Sequence, residues 1–325
     1  MRAEVKFSSP NWLMAALVGA MACTSACQPL PTVAASSAGP TYVSEAGPVP
    51  RPTGPLSAED ATRYVLALVN HDRSEVGAPP VEWDDTAARA GQDHVNDMAA
   101  NGYTAHWGTD GSVPEARYTR VGGAQLMKEN VACFFDGQHR DVDGGARFDP
   151  IDLEKIETAF MSEVPPNDGH KKNILGKWHN KVGIALAMPV GVPQPCMAQE
   201  FVDQYGEYAS VPATAKVGET VTVAGEVQGP AKFAGVGIAR IEPVRPLTVA
   251  HLNSTSTYAI PKPFVLYFPR GYQTPKPVTV DGNRFTIDVP LTDHEQPGRY
   301  EISVWGAFPD DPALVMLSLR TIDVR

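Results

Sequence analysis

The chain has 325 residues, of which 43% are hydrophobic, enough for more than one packed core, and 27 Lys and Arg against 37 Asp and Glu give a net charge of -10. No basic block is present that could track phosphates, which excludes nucleic acid as a partner. The 30 prolines and 28 glycines are clustered and so mark boundaries.

Residues 1–27 read as an export leader. Arg2 and Lys6 form a positive start, residues 12–22 (WLMAALVGAMA) are apolar but too short to span a bilayer, and Ala20 and Ala22 give a small-residue cleavage site. Cys23 follows at once. A cysteine there resembles a bacterial lipobox, which implies lipidation and a membrane anchor at Cys23; Cys27 is a poorer candidate, and plain secretion is the alternative. Residues 28–56 are rich in Pro, Ala and Ser, a composition expected of an unstructured tether.

Folded structure is predicted from Ser57, an N-cap with Asp60 three places on. Ala61, Tyr64, Val65, Leu68 and Val69 repeat at helical spacing up to Gly77. A second helix carries Ala87, Ala90, Gly91, His94, Val95 and Met98 on one face and ends at Gly102. His94 lies on that apolar stripe and is read as a core histidine. His106 falls in a Gly-, Thr- and Ser-rich loop, and Glu129 near the start of a strand-like run. A third helix begins at Asp149 and Pro150, with Leu153, Ile156 and Phe160 on its inner face and Glu163 next in line. His170 falls in the first turn of a short helix after a Pro165, Pro166 turn. Two closing strands follow, around 181–187 and 196–201.

Several ordered motifs now coincide. Leu68 to Arg73 with Gly77, Val81 to Asp84, Gln92 to Met98, Ala105 and His106, Glu129 to Ala132, Gly169 to Leu175, Val182 to Ala185 and Gln199 to Phe201 together resemble the CAP superfamily: cysteine-rich secretory proteins, antigen 5, pathogenesis-related proteins and bacterial SCP-like domains. The likeness covers roughly residues 56–206. It implies an α-β-α sandwich whose cleft holds a His, Glu, Glu, His tetrad, matched here by His106, Glu129, Glu163 and His170. In that reading His106 and His170 bind a divalent cation such as zinc, and Glu129 and Glu163 are the catalytic candidates of a metal-dependent hydrolase or peptidase. A non-enzymatic module binding an extracellular small-molecule, lipid, glycan or peptide ligand is favoured, and an adhesive or structural envelope protein is a further reading. Two His-Glu pairs bracing the loops without metal is the structural alternative.

The chain departs from the family at three points. Lys128 stands where Gly is usual, residues 134–149 form a long insertion expected to overhang the cleft, and Glu163 depends on alignment across a proline turn. Glu157 is the substitute for Glu163, although it is expected to point off the Leu153 face. His139 on the insertion is read as solvated, and Ser112 and Ser162 lack a nucleophile-elbow context. Cys133 and Cys196 form either a disulfide or two buried thiols.

Residues 207–325 change to short β-rich runs. Strands are predicted at 220–227, 235–241, 264–268, 284–289, 300–308 and 315–324, with an edge strand near Val211. The fold class expected is therefore α+β: a CAP domain over 57–206, then an all-β immunoglobulin-like sandwich over 207–325. Tyr300 is a candidate corner tyrosine, and the link 242–263 has no assigned role.

Overall fold

A computed structural model describes residues 48–255 and 257–325. The leader, Cys23, Cys27 and most of the predicted linker lie outside the described residues.

The first domain opens with α1 (Ala58–Glu75), where Ser57 Oγ accepts the Asp60 amide at 3.1 Å and closes the first turn. The short strand β1 (Glu82–Trp83) leads to α2 (Asp85–Asn101), capped by Asp84 and ended by Gly102 at φ 64°, a left-handed conformation suited to glycine. Next come α3 (Pro114–Arg120), β2 (Leu126–Ala132), α4 (Pro150–Met161), α5 (Gly169–Ile174), β3 (Lys181–Ala187) and β4 (Cys196–Asp203). The sheet order is β1-β3-β4-β2, so β2 is an edge.

Strand β3 shows how the layers form. Val182, Ile184 and Leu186 face the apolar cluster shared with α1 and α4, whereas Ala185 and Ala187 join Val95 and Met98 of α2 on the other face. Alternation of large and small residues thus sets helices on both faces of one sheet. Gly183 is the closest approach: a Cβ there would lie 2.1 Å from the Ala88 amide nitrogen.

The last residues of the predicted tether are docked. Leu56 and Phe148 exchange backbone hydrogen bonds at 2.8 and 3.0 Å, and Arg51 Nε donates to Glu154 at 2.7 Å. Composition missed this because the pairing partner lies far along the chain.

The C-terminal region is sheet-rich. It comprises β5 (Gly206–Tyr208), β6 (Thr214–Ala215), β7 (Thr220–Val227), β8 (Lys232–Ile241), the one-turn helix α6 (Val249–Leu252), β9 (Val265–Tyr267), β10 (Thr279–Asp281), β11 (Arg284–Pro290), β12 (Gly298–Ala307) and β13 (Leu314–Val324). Two sheets, β10-β11-β7-β5 and β6-β13-β12-β8-β9, share one core that includes Val223, Phe285, Ile302 and Leu317. Tyr300 makes a corner contact: its hydroxyl accepts from the Asp293 amide and donates to the Gln296 carbonyl, both at 2.9 Å. The sheets pack on the first domain, with Trp178 stacked on Phe308 at 3.7 Å and Gln125 Nε2 donating to the Gly206 carbonyl at 2.9 Å.

Candidate functional site

The four tetrad residues lie around the β2 edge of the first sheet. His106 sits on the loop after α2, and that loop is tightly held. Asp97 accepts from the Thr109 amide and hydroxyl, each at 2.8 Å, and His94 Nε2 donates to the Ala105 carbonyl at 2.8 Å. Burial and nearby Arg117 push His94 down to about 4, so the ring is neutral and structural.

Glu129 on β2 is buried beside His94 and Arg117. Its Oε1 lies 2.9 Å from His106 Nδ1, and its Oε2 accepts from Arg117 Nη2 at 2.5 Å. Burial alone would raise its pKa, but Arg117, His94 and His106 together hold it well below the ordinary carboxylate range. An ionised carboxylate only accepts, so His106 carries its proton on Nδ1. Arg117 also donates to the His106 carbonyl at 3.1 Å, clamping the ring's backbone as well.

Glu200 lies opposite Glu129 in the β2–β4 register and is fully buried. Burial, with the charge of Glu129 added, raises its pKa well above the usual value, so it is a neutral acid beneath the ion pair. Lys128 is exposed and points away from this cluster.

On the other side of β2, α4 stops at Met161 with Ser162 as C-cap, so Glu163 lies just beyond the helix rather than on its face. It still reaches His170: Oε1 is 2.6 Å from His170 Nδ1, and Oε2 accepts the His170 amide at 2.9 Å. Phe160 packs on the His170 ring at 4.4 Å between centroids. Burial, opposed by Glu163 and assisted by His106, lowers the His170 pKa and keeps the ring neutral. Asn130 ties this half to the sheet, donating to the His170 carbonyl and to Gln199 Oε1, each at 3.1 Å.

Glu157 is not the fourth member. It is buried in line with Leu153 and Ile156, contrary to the expected outward orientation, because four residues on from Leu153 returns to the same helix face. Its carboxyl accepts from Gln199 Nε2 at 2.5 Å and faces Asp72, away from His170.

The insertion 134–149 does not overhang the cleft. Its backbone bonds to Ala100, Gly102 and Met188, and none of its hydrogen bonds reaches the tetrad. His139 is exposed, 3.3 Å from Asn101 Oδ1. The segment that reaches His106 is instead 242–263, whose Tyr258 ring lies 6.4 Å from the His106 ring and 5.2 Å, edge-on, from Trp107. Between this segment and the 107–113 loop is a hollow of about 830 Å³ lined by Trp107, Val113, Val244, Leu247, Tyr258 and Pro261 among others.

Cys133 and Cys196 are joined as a disulfide linking the end of β2 to β4. Sequence reasoning did not single out Arg117, Glu115 or Tyr258. The one local signal was Pro114 followed by Glu115, a helix-start pattern that places Arg117 on α3.

A model of the family described as "CAP: Cysteine-rich secretory protein family" matches residues 66–188. These residues form a CAP domain. Among solved structures, an extracellular protein containing an SCP domain from Bacillus anthracis str. Ames is similar at 24% identity and a TM-score of 0.34, over 45% of this chain and 41% of that one. The chain thus spans about two fifths of that protein's length. A swine CD8aa homodimer is similar at 16% identity and a TM-score of 0.21, over 36% of this chain and 97% of the other. No curated protein matches the chain.

The donor set of the CAP cleft sets its fit to a metal. Both glutamates are spent on histidine Nδ1 atoms, which leaves two Nε2 lone pairs. Among the described residues, no group of three or more His, Cys, Asp or Glu is arranged to hold a metal ion. The cleft therefore offers at most two imidazole Nε2 atoms and does not supply the three or four protein donors of most zinc sites.

Proposed function

We propose that the chain is an exported binding protein whose CAP cleft takes a divalent cation, such as zinc, on His106 and His170 together with an extracellular ligand. The pair of Nδ1 to carboxylate contacts, at 2.9 and 2.6 Å, carries this reading. A carboxylate on Nδ1 fixes the tautomer, orients the ring and makes Nε2 a better donor, as in the outer shell of metal sites. A bound cation would supply a charge and an exchangeable position for an oxygen of the ligand.

Glu129 is an orienting group rather than a base, because Arg117 and His106 hold its charge. That leaves Glu163 alone to act as base in a hydrolase or peptidase, and two imidazoles are fewer than the three protein ligands typical of hydrolytic zinc. Binding is the better-supported reading. The apolar hollow lined by Trp107 and Tyr258 favours a lipid or an apolar peptide side chain over a glycan.

The Cys133–Cys196 disulfide suits an oxidising compartment and supports export, with lipidation at Cys23 as the proposed membrane anchor. No helix among the described residues is long and apolar enough to cross a membrane. For the C-terminal domain we read an immunoglobulin-like sandwich, supported by its two sheets and the Tyr300 corner.

Calorimetric titration of the untagged exported chain with Zn²⁺ tests the cleft. One ion per chain is expected, with binding lost in both His106→Ala and His170→Ala. Binding that is absent in the parent chain, or survives both substitutions, rules the reading out.

A further inference from the structure

Strand β13 carries an arginine where its neighbours are apolar. Arg320 stands opposite Ile302 of β12 and two residues before Ile322, both in the core shared by the two C-terminal sheets, and residues so related lie on one face of a sheet. It is 1% exposed. A cation therefore sits inside an apolar layer.

Its contacts are few. Nη1 donates to the Ala209 carbonyl, and the guanidinium carbon lies 5.6 Å from the centre of the Tyr208 ring of β5, the edge strand of the opposite sheet. The remaining edge of the guanidinium, Nε and Nη2, is buried and has no hydrogen-bond partner among the described residues, and the Tyr208 hydroxyl on the adjoining ring is buried and unpartnered as well. Asp203, a buried acid at the end of β4, is already engaged by His179 Nδ1 at 2.5 Å. Burial lowers Arg320 to about 10, which leaves it charged at neutral pH.

Nε and Nη2 present two N–H groups side by side in one plane. That edge grips an anion through two parallel hydrogen bonds. A buried cation left alone is costly, and an anion offsets its charge in a way that a neutral acceptor does not.

The surroundings are a joint between domains. Ser318, two residues before Arg320, donates to the Ala124 carbonyl of the CAP domain at 2.5 Å, and Gln125 Nε2 donates to the Gly206 carbonyl at 2.9 Å. A Cβ built on Gly206 would lie 2.8 Å from the Tyr208 hydroxyl, so that hydroxyl sits beside the glycine that Gln125 holds.

We infer that the Nε and Nη2 edge of Arg320, together with the Tyr208 hydroxyl, holds one small monovalent anion such as chloride where the two C-terminal sheets meet the CAP domain. The ion neutralises Arg320 and strengthens the joint. This site shares no residue with the cleft of His106 and His170, and it stands whether or not that cleft binds a cation.

Urea unfolding of the intact chain reads the ion when gluconate, too large for a closed site, is replaced stepwise by chloride at fixed ionic strength. An ion bound only by the folded state should lower the unfolding equilibrium constant about tenfold for each tenfold rise in chloride above its dissociation constant. Arg320→Met replaces the cation by an apolar chain and should fold and lose this response. Tyr208→Phe keeps the cation, loses one donor, and should respond only at higher chloride. Crystals of the parent chain grown in bromide should show an anomalous peak against Nε and Nη2, which decides the matter if neither variant folds. A parent response equal to that of Arg320→Met, the full parental response in Tyr208→Phe, or a bromide map without that peak overturns the proposal.

Discussion

Arg117 and Glu129 form a buried ion pair beneath His106, with Nη2 to Oε2 at 2.5 Å and side chains 2% and 1% exposed. The pair joins α3 to β2, and through the His106 carbonyl it also fixes the loop that carries the ring. Removing one member leaves the other charged in a dry site, a loss on the order of 3–5 kcal/mol. Arg117→Met should therefore lower CAP-domain stability by about that amount in urea unfolding, while the double substitution Arg117→Met, Glu129→Met should recover a large part of it. If the single and double variants are equally unstable, the two charges do not act as a pair.

His94 gives a pH dependence of defined sign. Its Nε2 donates to Ala105, and its buried Nδ1 has no partner, so a second proton would have nothing to bond. An unfolded histidine takes up that proton near about 6.5, whereas the folded ring waits until about 4. As pH falls across this window only the unfolded chain gains the proton, and the folded state loses ground. Comparing His94→Gln with the parent chain isolates the effect: between pH 7 and pH 4 their stability difference should shift by roughly 3 kcal/mol in favour of the variant. A difference that stays constant over this range would show that His94 is not held neutral.

How much of this was legible beforehand depended on the range of the interaction involved. Local signals located the start of α1 at Ser57, the end of α2 at Gly102 and the start of α4 at Asp149, because capping is decided within four residues. The limits of β7 were read as 220–227 for the same reason, alternation bounded by turns. His106, Glu129, Glu163 and His170 were singled out through family motifs, since nothing local distinguishes one loop histidine from another. Arg117 was missed because the seven residues of α3 are too few for periodicity to register. Tyr258 was missed because its partner Glu115 lies 143 residues earlier and only tertiary packing joins them. The insertion 134–149 was misplaced because its length was legible and its direction was not.

The disulfide supplies a third prediction. Cys133 and Cys196 are 63 residues apart, and closing a loop of that size removes unfolded-state entropy equivalent to about 4 kcal/mol. The Cys133→Ala, Cys196→Ala double variant should unfold at clearly lower temperature, and reducing agent should lower the parent's midpoint toward the variant's. A parent chain indifferent to reductant would place both sulfurs outside any stabilising role.

Gly183 tests how α2 comes to sit on the sheet. In β3 it faces α2, and a Cβ built there lies 2.1 Å from the Ala88 amide nitrogen, 2.4 Å from the Ala87 carbonyl carbon and 2.7 Å from the Ala88 Cα. All three atoms are backbone, so no rotamer change can make room, and the first turn of α2 must move off the strand. That displacement strains the connection from Asp84, whose amide bonds the Val182 carbonyl at 2.9 Å, and loosens the helix that carries His94 and Asp97. Overpacking typically costs about 1–3 kcal/mol, and a backbone clash belongs at or above the upper end. Gly183→Ala should therefore lower the CAP-domain unfolding midpoint and weaken the Zn²⁺ binding proposed at His106, although the substitution does not touch His106. Gly144→Ala, with nothing within 4 Å of its Cβ, should leave both unchanged. Equal behaviour of the two variants would mean that close helix-strand contact at Gly183 does not set the height of α2 above the sheet.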